Sequence, residues 1–484
     1  MALLSQIISL TVLVLTVEAA VNPRYYPRYH LAPECGWMND PNGLSFYQGF
    51  YHLFYQYNPK SSLEPGIAHW GHARSRDLVN WEPLSIAMYP DETYDADGVF
   101  SGSAYIEDGL LYLYFTGNVN LDAVVYRNET QALAVSGDGF RFVKYPDNPL
   151  ILGTEFQPNI RDPKVWKHED TYYMVLGHSI EDKTGEIVLF TSKDKFQWNY
   201  EGVLAQSDGS LGYMFECPDL FELDGEAILL FSPQGVEPDG YKYRNLYQTG
   251  YLVGKFDYKT NKFIQEREFV ELDHGHDFYA TQTFEHEGRR ILFAWMDMWD
   301  QNYPEGGDGF TGMMTLPRIL TLTPEGHVLQ NPAEEVDNLS GDIVFSDNAN
   351  PKTPIVLPDK SARIWIESSG TEDLEVLLSA TGTNTSTVSI KFDFGAGFVI
   401  LDRGGDDGVR MAPWTPSNGE KLLWRVYVDA SSIELFCGKG EATFSSRFFP
   451  TSDVAVSVVT GDVSKFEVKA IPRTLPITSG DKCL

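Results

Sequence analysis

A chain of 484 residues with 43% apolar and 13% aromatic side chains can build two or three well-packed domains. Its 68 acidic side chains outnumber 37 basic ones, for a formal charge of −31. That balance argues against nucleic acid and anionic membrane surfaces as partners and suits a soluble extracellular protein.

The chain opens on an apolar run over residues 7–17, followed by Val17-Glu18-Ala19-Ala20, a small-residue cleavage site. Residues 1–20 read as a secretory signal peptide, too short to span a bilayer, so the expected location is extracellular. Three sequons follow, at Asn128, Asn338 and Asn384, as expected of a secreted glycoprotein. The four cysteines, Cys35, Cys217, Cys437 and Cys483, are too few for a disulfide scaffold. Their connectivity is not readable from sequence; Cys437 and Cys483, both in the C-terminal region, are a plausible pair.

The stretch Trp37-Met38-Asn39-Asp40-Pro41-Asn42-Gly43 places a carboxylate inside rigid turn chemistry. Pro41 pushes Asp40 toward an extended backbone, and Gly43 lets the chain turn. Taken alone, Asp40 reads as an ordinary turn carboxylate. The rest of the chain reverses that weighting. Aromatic-rich strands of similar texture start at Tyr51, Leu111, Tyr172, Ala227 and Arg290, spaced by 60, 61, 55 and 63 residues. Three are trailed by a second signature, beginning Ser75-Arg76-Asp77, Ser136-Gly137-Asp138 and Ser192-Lys193-Asp194. Five strand-dense units with almost no helical periodicity predict an all-β fold, a five-bladed β-propeller closing into a ring.

The repeats also align the chemistry. Ten or eleven residues before each strand start stand Asp40, Phe100, Asp162, Glu216 and Tyr279. In a propeller these positions belong to the innermost strands and meet at one end of the ring. Three like-charged carboxylates converging there are costly without a use. Two carboxyl groups across a sugar are the minimum for glycoside hydrolysis, one ionised and one carrying a proton. Arg161 would favour the ionised form of Asp162. Trp37, Phe100, Tyr279 and Trp295 offer walls for a sugar pocket, and Asn39, Gln56 and Ser101 offer hydrogen bonds to hydroxyls. No metal is expected: His274-Gly275-His276 and the pair His69 and His72 have no Cys or carboxylate at ligand spacing. Gly306-Gly307-Asp308-Gly309 reads as a loop, since no strand-helix unit surrounds it. Cys217 reads as a small packing residue rather than a reactive thiol.

Trp-Met-Asn-Asp-Pro-Asn-Gly (37–43), Tyr-Gln-Tyr-Asn-Pro (55–59), Trp-Gly-His-Ala (70–73), Phe-Ser-Gly-Ser-Ala (100–104), Arg-Asp-Pro (161–163), Glu-Cys-Pro-Asp (216–219) and Asp-Phe-Tyr-Ala (277–280) together resemble the motif set of glycoside hydrolase family 32. That family contains the invertases (β-fructofuranosidases), inulinases and levanases. The resemblance implies a retaining mechanism on sucrose or short fructo-oligosaccharides, with no metal and no cofactor. It implies Asp40 as nucleophile, Glu216 as acid/base and Asp162 as transition-state stabiliser. It implies that Arg161 and Asp219 orient them, and that Trp37, Asn39, Gln56, Trp70, Phe100, Ser101, Tyr279 and Trp295 belong to the substrate site. Members often carry a Trp after the Gln-Tyr-Asn-Pro motif, where this chain has Leu63-Glu64-Pro65-Gly66. Exo-acting fructanase or fructosyltransferase activity is the alternative within the class, and a silent sugar-binding propeller the alternative outside it.

Short alternating runs such as residues 362–366, 387–394 and 422–428 predict a C-terminal β-sandwich, as the resemblance also implies. The expected organisation is signal peptide 1–20, propeller 21–335, linker 336–358 and sandwich 359–484.

Overall fold

The computed structural model describes residues 24–121, 127–156, 158–181, 183–382, 387–417 and 419–475. The signal peptide, Asn384 and Cys483 lie outside the described residues.

Five antiparallel sheets form the N-terminal region. Their first strands are Gly36–Tyr47, Val99–Glu107, Pro158–His168, Met214–Leu223 and Tyr279–His286. These contact one another in sequence, and the fifth also contacts the first, which closes the ring. They are the inner strands of blades I to V. The ring closes because no blade can bury both faces alone. Among the described residues, one apolar cluster lies between each pair of neighbouring blades. Phe54, Trp70, Leu113 and Phe115 join blades I and II, and Tyr114, Ile160, Met174 and Leu176 join II and III. Val175, Leu189, Phe215 and Leu229 join III and IV, and Ile228, Leu230, Leu292 and Leu320 join IV and V. Leu44, Leu53, Ile291 and Phe293 close V onto I. Each layer removes apolar surface from water at about 25 cal/mol per Å². A short strand, Phe310–Thr311, pairs in parallel with Gly36 and Trp37 and ties the end of the ring to its beginning.

The recurrent Ser-x-Asp signature is a turn device at the end of the third strand in blades I to III. The Asp accepts from the Ser hydroxyl (3.0–3.1 Å) and from backbone N–H groups two or three residues on, at Asn80, at Phe140 and Arg141, and at Phe196 and Gln197. It repeats because the same corner must be turned in each blade.

The C-terminal region is a sandwich of two six-stranded antiparallel sheets around a core that includes Ile364, Trp424, Leu435 and Phe466. Its first two strands correct the expected linker. Ile343–Asp347 and Ile355–Val356 lie inside 336–358, yet they pair with Val463–Ala470 and Val454–Thr460 at the sheet edges. Edge strands pair on one side only, and Ile343–Asp347 has no buried residue to give it an alternating pattern. Farther in, Leu374–Ala380 alternates strictly between core and surface, as a sheet with one wet face must. Ser432–Cys437 and Ala442–Arg447 are buried at every position, because the propeller covers their outer face. That covered face is ionic: Arg318 binds Asp273 and Glu434, Arg447 binds Glu305, and Arg403 binds Asp277.

Cys437 corrects the expected disulfide. It is a free, fully buried thiol in the sandwich core, whereas Cys35 is the disulfide-bonded one.

Candidate active site

All five aligned positions lie on inner strands, and at each the ladder slips. The register shifts between Met38 and Pro41, Phe100 and Gly102, Glu216 and Asp219, and Tyr279 and Gln282, and in blade III opposite Val175 and Gly177. A bulge re-aims the side chain it carries. Here it turns residues that would pack between blades into the ring. Asp162, Cys217 and Ala280 take left-handed φ values of 68°, 50° and 53° to do so.

The bulges open onto a cavity of about 780 Å³ lined by Asp40, Asp162 and Glu216, together with Asn39, Gln56, Phe100, Ser101 and Arg161. Asp40 accepts from Ser101 Oγ (2.6 Å) and Asn39 Nδ2 (3.0 Å). Asp162 accepts from the Cys217 N–H (2.9 Å). The Cys217 thiol sits 3.7 Å from an oxygen of each aspartate. Burial, with the charge of Glu216, raises the Asp40 carboxyl above its usual range and raises Asp162 much further, although Arg161 opposes the rise at Asp162. Burial among these carboxylates also raises the Cys217 thiol far above its ordinary value, so it stays protonated and inert as a nucleophile.

Glu216 is held differently. Arg161 donates from Nε and Nη2 to one oxygen at 2.9 Å, while Gln234 Nε2 and the Tyr279 hydroxyl donate to the other at 2.5 Å. Tyr279 also lies 3.4 Å from the Ser232 carbonyl. Its hydroxyl can therefore turn to donate there and accept a proton carried by Glu216. Arg161 can only donate, whereas Tyr279, and Gln234 with its amide turned, can accept. The arrangement can hold a proton on one carboxyl while keeping a second carboxylate ionised on the wall of the same cavity.

Other residues singled out in the sequence do not line the cavity. Trp70 is fully buried between blades and donates from Nε1 to the Phe100 carbonyl. Trp295 is fully buried behind Trp299, which does line the cavity, and Trp37 stacks on Trp299 at 6.3 Å. Asp219, on the far side of the bulge from Glu216, is paired with Lys164 and Thr283. Tyr279 reaches the site only through Glu216. Sequence reasoning passed over Gln234, Tyr213, Tyr247, Asn120 and Arg127, all of which line the cavity. They fall at strand ends and in loops, where no period marks them. Pro65 and Gly66 also line it, while Leu63 stands 75% exposed outside.

Among the described residues no group of three or more His, Cys, Asp or Glu side chains could hold a metal ion. His69 donates from Nδ1 to the Ile67 carbonyl, His72 faces His52, and His276 sits between Ser446 and Gly408.

The profile of the glycosyl hydrolases family 32 N-terminal domain matches residues 30–332, and that of the family's C-terminal domain matches residues 335–470. The chain belongs to glycosyl hydrolase family 32. Its two matched regions meet at residues 332–335, where the fifth blade ends. This family 32 chain is 38% identical over 463 residues to a sucrose-6-phosphate hydrolase of Zymomonas mobilis, covering 90% of this chain and 88% of that one. It is 37% identical over 449 residues to a raffinose invertase of Escherichia coli, covering 89% and 90%. Among solved structures, the Bombyx mori GH32 β-fructofuranosidase BmSUC1 superposes with a TM-score of 0.89 at 42% identity, covering 95% of this chain and 96% of that one. A variant of that enzyme is solved in complex with sucrose.

Proposed function

We propose that this glycoside hydrolase is a secreted β-fructofuranosidase that removes the terminal non-reducing β-D-fructofuranosyl unit of sucrose with retention of configuration. One observation carries the assignment of roles. The hydroxyl on Glu216, that of Tyr279, has a second acceptor in reach, the Ser232 carbonyl, and so can turn to let Glu216 carry a proton, whereas the Ser101 hydroxyl donates to Asp40. Asp40 accepts from neutral side chains, those of Asn39, Ser101 and Cys217, and is free to attack.

In the first half-reaction an Asp40 oxygen forms a bond to fructosyl C2 as the C2–O bond to glucose breaks. The proton of Glu216 goes to the departing oxygen. In the second half, ionised Glu216 takes a proton from water, the water oxygen bonds to C2, and the Asp40 ester breaks. Asp162 accepts from fructose hydroxyls, whose acidity rises as the transition state develops positive charge. Asn39, Gln56 and Ser101 position the ring.

Secretion is supported by the apolar segment 7–17, by the disulfide-bonded Cys35, which is characteristic of oxidising compartments, and by the exposed sequon residue Asn338. The test is to express the full chain in a secreting eukaryotic cell, sequence the N-terminus found in the medium, and follow the anomer first formed from sucrose by NMR. Cleavage near Ala20, release of equal glucose and fructose, and β-fructofuranose as first product are expected. First-formed α-fructofuranose removes Asp40 from the nucleophile role, and protein confined to the cell removes secretion.

A further inference from the structure

A fourth carboxylate lies beneath the site and makes no contact with the cavity. Glu129, on the blade II strand Arg127–Ser136, is 1% exposed. It accepts from the Ile160 N–H at 2.7 Å and from Arg161 Nη1 at 3.2 and 3.3 Å, and Arg127 Nη1 lies 3.8 Å away. Every one of these neighbours is a donor. A protonated carboxyl would need an acceptor for its O–H, and none of them offers one. Burial raises the Glu129 carboxyl above its usual range, the charges of Arg161 and Arg127 oppose the rise, and with donors alone around it Glu129 sits as an anion shared by two guanidiniums.

We infer that Glu129 is a positioning residue for the proton donor, holding Arg161 in the orientation that grips Glu216 while taking up the charge that Arg161 carries. The inference rests on Glu216 being the acid/base. Arg161 has its Nε and Nη2 on Glu216, and its Nη1 on Glu129 and on Asn159 Oδ1 at 3.1 Å. A lone buried guanidinium against Glu216 would make a neutral ion pair and hold that carboxyl ionised. An acid held that way cannot carry the proton that the first half-reaction needs. With Glu129 on the opposite edge, most of the charge of Arg161 is taken up there, since the second guanidinium on Glu129, that of Arg127, is farther off and half exposed. Glu216 then gains two directed hydrogen bonds without a full unit of attraction. The remaining groups facing Glu216 are Gln234, Tyr279, Cys217, Asp40, Asp162, Tyr213 and Tyr247, and none of these is a cation.

The test compares Glu129→Gln and Glu129→Asp with the unchanged enzyme on sucrose and on 4-nitrophenyl β-D-fructofuranoside, whose leaving group needs no proton, across pH. In Glu129→Gln more of the charge of Arg161 falls on Glu216, with Asp162 the other carboxyl near it. A positive charge favours the ionised form, so the alkaline limb of kcat/KM on sucrose moves to lower pH, by about one unit. At neutral pH kcat on sucrose falls about tenfold with KM little changed, and the loss on the nitrophenyl substrate is several times smaller. Glu129→Asp keeps the charge but withdraws it from Arg161, and shows the same changes reduced. Equal losses on both substrates with an unmoved alkaline limb overturn the inference, since a purely structural residue would behave that way. If Glu129→Gln does not fold, the Asp variant decides, and an unmoved limb there overturns it. Glu216→Gln, run in parallel, must itself lose more on sucrose than on the nitrophenyl substrate. If it does not, Glu216 is not the proton donor, and both the functional reading and this inference fall.

Discussion

The molecule buries two clusters of carboxylates, and they are built on opposite terms. At the interface between propeller and sandwich, every carboxylate has a cation. His30 sits between Asp429 and Glu434 at 2.9 Å from each; Arg318 spans Asp273 and Glu434, Arg403 meets Asp277, and Arg447 meets Glu305 with Asp297 close by. Burial raises Asp429 and Glu434, but hydrogen bonds from His30 and the charge of Arg318 outweigh it and hold both below their usual range, whereas around Arg447 burial prevails and Asp297 and Glu305 are raised. In the ring, none of the hydrogen-bond partners of Asp40 or Asp162 is a cation, and both carboxyls are raised. Charge matched by countercharge is how a fold keeps ions indoors. Charge left unmatched destabilises the folded state, and the chemistry needs it.

The contrast can be broken by substitution, and the largest effect is expected at Asp40. Asp40→Asn should lower kcat on sucrose by about 10⁴-fold or more, since no ester can form. Its Tm at pH 7 should hold or rise, because one of the crowded charges is gone. A clear drop in Tm would place Asp40 with the interface carboxylates instead. Glu216→Gln should cost about 10²–10⁴-fold on sucrose. It should cost much less on an activated fructoside, with added azide partly restoring breakdown of the fructosyl-enzyme.

Arg318→Met is the mirror experiment. It leaves Asp273 and part of Glu434 buried without a cation, so stability should fall by about 3–5 kcal/mol. Activity per folded molecule should stay within about twofold, because nothing at the interface touches the cavity. Denaturant unfolding alongside active-site titration separates the two quantities. Should specific activity collapse while stability holds, the interface would belong to the catalytic machinery.

Two further expectations concern pH. Asp162 has a raised folded-state pKa, so its ionisation costs stability once pH exceeds the unfolded value near 3.9. Asp162→Asn should therefore be more stable than the unchanged protein at pH 7, and the gap should close as pH falls toward 4. His30 works with the opposite sign. Burial pulls it down, but Asp429 and Glu434 raise it to about 9. The stability it contributes is complete below the unfolded value near 6.5 and fades as pH rises through about 9. The two values correspond to about 3 kcal/mol. Replacing His30 with Gln should flatten the stability profile between those limits, and an unchanged slope there would mean that His30 is neutral in the folded protein.

The two clusters were also unequally visible in the sequence. Asp40, Asp162 and Glu216 stand at one repeat position, so the period exposed them. Asp273, Asp277, Glu305, Asp429 and Glu434 follow no period, because a docking surface is met once and not five times. The same reason hid Glu129, which lies inside a sequon and reads as its middle residue. Trp70 and Trp295 pair in the ladder with Gln56 and Tyr279, and Asp219 shares a motif with Glu216, yet a strand turns alternate residues to opposite faces, and the bulges decide which face is which. A bulge shows in the ladder and not in the letters. The sandwich was readable from its alternating strands, whereas the first of its edge strands, Ile343–Asp347, buries none of its residues.

The segment ahead of Gly36–Tyr47 that carries His30, a strap fastened to Asp429 and Glu434, has a consequence for synthesis. The backbone N–H of Arg28 donates to Asp429, 401 residues further along the chain. At about 5–20 residues per second, the strap leaves the ribosome roughly 20–80 s before the residues that will receive it. During that time the blades behind it can stack in order, but the sandwich sheet that covers them has not been made. Buried arginines such as Arg318 then remain open to water and to chaperones. The last part of the enzyme to emerge is thus the part that fastens the first, and a chain cut short before Asp429 would leave its own beginning undocked.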